Sequence, residues 1–410
     1  MALEPRPESV DGTVLNGAVL NGAFLGGDGP ESNGTSRPLA AMDVAGRIGR
    51  LRERLATERL DALLVTNLTN IRYLSGFTGS AGLMLISGDD AVLVTDGRYG
   101  EQAPAQVERA GAPTRVEING DKQTELIARL LNEARLSRLG LEADAVTWAA
   151  QRRYATAFDG VELVASSGAV EALRLTKDVG ELDRMLRAAA IADAAFAEVR
   201  PLLGEVLDGR SLTEVEFGFA LDTAIRRLGA AGNSFETIVA SGPNGALPHA
   251  RPTDRPLERG DLVVVDFGAR VDGYCSDMTR TVAIGTDGDL SEQKLAMVEA
   301  VAAAQRAGVE AVGAGVSVKA VDEACRSLLT EAGLAEHFTH GTGHGVGLDI
   351  HEAPRVSKLA DATLSPGFVV TVEPGVYIAP HGGVRIEDTV VVTETGCWSL
   401  TAAPKTLYAA

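Results

Sequence analysis

The chain has 410 residues, of which 45% are hydrophobic and 23% charged, and a formal net charge of −18. That length exceeds one ordinary core and sets two domains as the expectation. The acidic balance argues against a nucleic-acid backbone or an anionic membrane as partner. It is otherwise the solvated surface of a soluble protein.

Residues 1–41 are rich in Gly, Asn, Ser and Pro and carry a small echo, Val14-Leu15-Asn16-Gly17 followed by Val19-Leu20-Asn21-Gly22. Such a segment buries too little apolar surface to order itself, so a disordered extension is expected, with a misassigned start as a second reading. It lacks the basic-then-apolar order of a secretory signal. Residues 42–170 read as a small α/β domain. Val44, Ile48, Leu51 and Leu55 recur at helical spacing, and Ala62–Val65 reads as a buried strand. Leu83–Ser87 and Ala91–Thr95 follow as strands, with a turn at Gly88-Asp89-Asp90 between them.

A long helical pattern over 172–194 places the domain boundary near 168–178, and residues 175–405 form the second domain. Helices are expected at 181–205, 212–230, 291–312 and 317–332, segregated from strands, which makes this half α+β. No apolar run approaches the ~20 residues that span a bilayer. Cys275, Cys325 and Cys397 are widely spaced, without a CxxC pair. They suggest no disulfide framework and fit a cytoplasmic location.

The informative residues are acidic ones placed where strands are expected. Asp266 lies inside the apolar run 262–268, where an unpaired carboxylate costs several kcal/mol, roughly the penalty of a buried ion. Asp272-Gly273 is a two-residue hairpin turn. With that dipeptide at its centre, Val271 faces Tyr274 and Asp266 faces Thr279. Asp277 then shares the face of Asp266, diagonally beside it. The pair needs a metal, a shared proton or a cation such as Arg280. The pattern recurs at Val369–Val372, which leads into Glu373, and at 384–390, which contains Glu387. A loop with Pro380, His381 and Gly382-Gly383 joins these two runs.

Three of the six histidines, His340, His344 and His351, fall within twelve residues in a glycine-rich frame. Glycines at 341, 343, 345 and 347 oppose a zinc-binding helix, and His351-Glu352 lacks the second histidine of HExxH. There is no GxGxxG spacing and no Walker lysine, so nucleotide binding is rejected. One imidazole with four carboxylates is an oxygen-rich donor set suited to two divalent ions. Manganese fits best, with cobalt, iron or zinc as alternatives. Such a pair would make a bridging water a nucleophile and polarise a carbonyl.

These residues resemble the pita-bread metallopeptidases: aminopeptidase P, prolidase, methionine aminopeptidase and their relative creatinase. The resemblance rests on Pro248-His249, 265–268, 276–281, 340–351, 372–375 and 384–388. It extends to a creatinase-like N-terminal domain through 75–82 and 95–99. The resemblance implies that Asp277 and Glu387 bridge two ions, that Asp266 completes one site, and that His344 and Glu373 complete the other. It makes Glu373 the proton shuttle. His249, His340 and His351 would line the substrate cleft, with His351 on the substrate carbonyl or tetrahedral intermediate, and Arg385 would support the bridging carboxylates.

The implied reaction is hydrolysis of the N-terminal Xaa-Pro bond of a peptide with proline second, by a metal-bridging hydroxide, in a homodimer or dimer of dimers. In such a dimer Arg98 and Tyr99 would roof a neighbour's site. The alternatives are a metal-dependent hydrolase of another small amide and a non-catalytic binder. Cys275 reads as a small strand residue and His381 as an exposed loop histidine.

Overall fold

The computed structural model describes residues 13–15, 18–20 and 38–409. Within 1–41 it gives the short antiparallel strands Thr13–Leu15 and Ala18–Leu20. The rest of the expected disorder there lies outside the described residues. The chain divides into one unit at Ala41–Arg174 and another containing Leu175–Ala410.

In the first unit, the Asp43 side chain accepts a hydrogen bond from Gly46 N and starts the helix Val44–Thr57. Its Val44, Ile48, Leu51 and Leu55 are all buried, as their spacing predicts. A mixed six-stranded sheet runs in the order Arg115–Ile118, Ala91–Thr95, Leu83–Ser87, Ala62–Val65, Arg138–Glu142, Glu162–Ser166. The central three strands pair antiparallel and the outer pairings are parallel. Ala62–Val65 is buried at every residue, which explains its unbroken apolar sequence.

The single helical pattern over 172–194 is two helices, Glu171–Arg174 and Val179–Val199. Asp178 and Glu181 form a capping box that starts the second one afresh. That helix stops at Val199 rather than near 205, and a separate turn covers Pro201–Glu205. Pro201 has no N–H with which to continue the ladder.

Two of the sheets in the second unit bear most directly on the site. One is Ile238–Ser241, Leu262–Phe267 and Met278–Ala283, all antiparallel. The other runs Glu352–Val356, Gly343–Gly345, Val369–Val372, Asp388–Val392, Cys397–Ser399. Phe196, Phe217 and Leu221, from the helices Val179–Val199 and Glu214–Arg227, pack on Val263, Val265 and Phe267. Met297, Val301, Val321 and Leu329, from Glu292–Ala311 and Val318–Glu331, pack with Val370, Val372, Val384 and Ile386.

The period of two in a strand fixes what faces the other way. Asp266 alternates with Val265 and Phe267. Thr371 and Glu373 alternate with Val370 and Val372, and Arg385 and Glu387 with Val384 and Ile386. Packing the apolar residues under helices therefore turns every one of these polar side chains towards a common face.

Candidate metal and catalytic site

Asp272 and Gly273 both have positive φ, 42° and 82°, as a tight two-residue hairpin requires. Val271 pairs with Tyr274 and Asp266 with Thr279, the register expected from the turn. The second hairpin pairs Val372 with Asp388 and Gly375 with Arg385. Continuing that register inward sets Glu373 opposite Glu387. Both glutamates sit where the regular ladder breaks, so Glu387 lies between the strands Gly382–Arg385 and Asp388–Val392 rather than inside one.

A cavity of about 820 Å³ gathers Asp266, Asp277, His344, Glu373 and Glu387, together with His249, His340, His351 and Arg385. All nine residues singled out from the sequence are thus brought together. Asp277, His344 and Glu387 offer ligand atoms within 4.8 Å of one another. His344 Nδ1 lies 2.9 Å from the Gly345 carbonyl. Donation there leaves Nε2 as an acceptor, 3.3 Å from Glu373 Oε1 and 3.6 Å from Asp277 Oδ2. Acceptors held that close need a proton or a cation between them.

Burial and mutual repulsion raise the carboxyl groups. Asp277 is pushed well above its ordinary value by burial and then by Glu387, Asp266 and Glu373. Glu387 is raised by burial, Glu373 and Asp266. Glu373 is lifted by burial to about 7, against the pull of Arg385. Among the described residues, Asp266 Oδ1 and Glu387 Oε1 are buried oxygens without a hydrogen-bond partner. Orphaned, clustered carboxylate oxygens beside an unprotonated imidazole fit divalent cations.

Arg280 does not balance the first pair. Its Nη2 donates to Asp388 Oδ1 at 2.9 Å, on the far side of the strand. Among the described residues, the cation that ion-pairs these carboxylates is Arg385, with Nη2 2.6 Å from Asp266 Oδ2. One guanidinium cannot neutralise four carboxylates.

Three supporting residues were not singled out from the sequence. Thr279 takes a hydrogen bond from Arg385 Nε at 3.1 Å and donates to Glu387 Oε2 at 2.7 Å. Thr371 accepts from the His344 amide at 3.0 Å and donates to Glu373 Oε1 at 3.1 Å. The Tyr377 hydroxyl lies 2.7 Å from Arg385 Nη1 and 2.9 Å from His340 Nε2. Strand alternation was the available signal for all three, since each lies an even number of residues from a site carboxylate. Cys275 is a buried strand residue.

Residues 183–394 match Metallopeptidase family M24, and residues 47–176 match the Creatinase/Prolidase N-terminal domain. The chain belongs to metallopeptidase family M24. The fold is accordingly the α+β pita-bread domain of that family, preceded in the chain by a smaller α/β creatinase-type domain. Among its M24 relatives, the uncharacterized peptidase YqhT of Bacillus subtilis is 40% identical over 88% of this chain and 99% of that protein. The Xaa-Pro dipeptidase of Pyrococcus furiosus is 32% identical over 88% of this chain and 99% of its own length. The solved Xaa-Pro dipeptidase from Bacillus anthracis superposes with a TM-score of 0.82 at 40% identity, covering 88% of this chain and 98% of that one. The X-Pro aminopeptidase from Thermotoga maritima gives 0.76 at 36%, covering 86% and 99%. This M24 chain is a metallopeptidase. Among the described residues, no helix is long and apolar enough to cross a membrane.

Proposed function

We propose that the protein hydrolyses the Xaa-Pro bond of short peptides, releasing the N-terminal residue, with two divalent cations held by Asp266, Asp277, His344, Glu373 and Glu387. The observation that carries this reading is the ring of buried carboxylates with orphaned oxygens, set in one cavity with His249, His340 and His351. Asp277 and Glu387 would hold the cations at the centre of this set, and manganese suits their hard oxygens. When bound, the cations supply Lewis acidity, which acidifies water and polarises the scissile carbonyl.

The chain's own residues do the rest. Glu373, which lines the cavity beside His344, would take a proton from the attacking water and pass it to the leaving proline nitrogen. The His351 imidazole is pushed down by burial and by His344, so it stays neutral and presents an N–H to the developing oxyanion. Burial lowers His340 to about 4, which keeps its ring neutral as well. Arg385 is held charged above its ordinary range by Tyr377, Asp266 and Glu373, against the effect of burial. It orients Asp266 while Thr279 orients Glu387.

Arg355 and Lys358 line the same cavity, where Arg251 is paired with Glu236 at 3.0 Å. These cations favour a substrate whose C-terminal carboxylate lies inside it, that is, a dipeptide. Relatives named as Xaa-Pro dipeptidases support the substrate class. Three free thiols suit a reducing cytoplasm, and a homodimer is the assembly implied by the family resemblance.

The test is a length series, Ala-Pro, Ala-Pro-Ala and Ala-Pro-Ala-Ala, with Ala-Ala as control, assayed with manganese. Metal-dependent release of alanine, fastest from Ala-Pro, is expected. Equal rates on Ala-Ala would remove the proline specificity, and no release from any peptide would remove the reading.

A further inference from the structure

We propose that Asp322 and Arg326, on the helix Val318–Glu331, act as positioning residues that clamp the segment carrying His340. The inference rests on the peptidase reading above. Val318, Val321, Cys325 and Leu329 seat this helix in the core. Asp322 and Arg326, one turn apart, face the segment 338–342, which forms neither helix nor strand. Its backbone polar groups therefore have no ladder and need other partners.

The clamp supplies them. Arg326 Nε donates to Asp322 Oδ2 at 2.6 Å and Nη2 to Asp322 Oδ1 at 3.3 Å. The same guanidinium donates from Nη1 to the Phe338 carbonyl at 3.2 Å and from Nη2 to the His340 carbonyl at 2.6 Å. Asp322, wholly buried, accepts from the Thr342 amide at 3.2 Å and its hydroxyl at 2.8 Å. One ion pair thus fixes two carbonyls and one amide within five residues.

Side chains continue the constraint. The guanidinium carbon lies 4.1 Å from the centre of the Phe338 ring, which meets the His340 ring edge-on at 5.1 Å. The imidazole is left with Nδ1 on the Gly341 carbonyl and Nε2 on the Tyr377 hydroxyl. Past His340, the Thr342 carbonyl accepts from the Glu373 amide at 2.7 Å, so the clamped segment also abuts the proton shuttle. Arg326 borders the cavity, but all three of its nitrogens are engaged within the clamp. It has no free fork for a substrate anion, so it acts through His340. Lysine, a point charge, cannot span two carbonyls and a carboxylate.

The test uses the metal-loaded, full-length protein. Arg326→Met lowers kcat on Ala-Pro about tenfold with KM within about twofold. In a His340→Ala background the same substitution lowers kcat by less than about twofold, because the two act as one unit. Arg326→Lys recovers only part of the loss. An unchanged kcat in the single variant, or losses that multiply in the double variant, overturns the proposal.

A second readout needs no activity. Backbone hydrogen exchange over 338–342 rises at least about tenfold in Arg326→Met while the sheet strands keep their protection. Unchanged exchange there also overturns it. If Arg326→Met does not fold, Arg326→Lys carries the same two comparisons. A wild-type protein inactive on every Xaa-Pro peptide counts against the peptidase reading, and the exchange experiment then decides the clamp alone.

Discussion

Glu387 and Asp388 are neighbours in the chain, and both are almost fully buried, yet they sit in opposite electrostatic surroundings. Asp388 accepts from Arg280 Nη2, Gln305 Nε2 and Thr401 Oγ1, each at 2.9 Å, and pairs with Lys405. Burial raises its pKa, but Arg280 and Lys405 overcome that and hold it at about 2. Glu387 has Thr279 on one oxygen and nothing on the other, and it faces Asp277, Glu373 and Asp266. The first cluster brings its own cations and is structural. The second has only Arg385, on Asp266, and its remaining carboxylates are the ones proposed to hold divalent cations. A buried carboxylate therefore reads as a site only after its cations have been counted.

Removing a charge from each cluster separates the two most sharply. Asp277→Ala abolishes metal binding and lowers kcat/KM at least about a thousandfold, while the metal-free protein is no less stable because a repulsion is gone. Metal content, peptide assay and melting of the stripped protein check this, and a stripped variant that melts well below wild type would break the contrast. Asp388→Ala does the reverse. It leaves Arg280 and Lys405 without their carboxylate and costs about 3–5 kcal/mol of folding stability, read by denaturant unfolding. A loss below about 1 kcal/mol would mean the pair is not structural.

The convergence of the carboxylates on one cavity was readable in the sequence because strands repeat every two residues and Asp272-Gly273 fixes one register. Asp266, Asp277, Glu373 and Glu387 then stand out as charges amid valine and phenylalanine. Arg280 was harder to place. It shares the parity of Met278 and Val282, the helix-packed face, so it cannot reach Asp277. The hairpin register, which sets Thr279 opposite Asp266, carries that parity, but not the partner Asp388 that Arg280 takes instead. The Asp322–Arg326 pair was not readable, since its partners lie in a segment with neither helical nor strand period. The break between Arg174 and Val179 was hidden by continuous helical composition, although Asp178 and Glu181 spell a capping box.

Melting of the stripped and the manganese-loaded protein at pH 7 and pH 8 tests the central claim most directly. Above about pH 7 His340, His344 and His351, each lowered by burial, are neutral folded or unfolded and contribute little. Glu373, at about 7 in the folded chain against an ordinary 4.5, stabilises the fold while protonated, and this contribution fades as pH rises through 7. Asp277 and Glu387, raised by burial and by neighbouring carboxylates, act in the same direction. The stripped protein should therefore melt lower at pH 8 than at pH 7, and the stabilisation by manganese should grow over the same interval. A stripped protein whose melting temperature is flat or rising there, with no gain from manganese, would contradict the account.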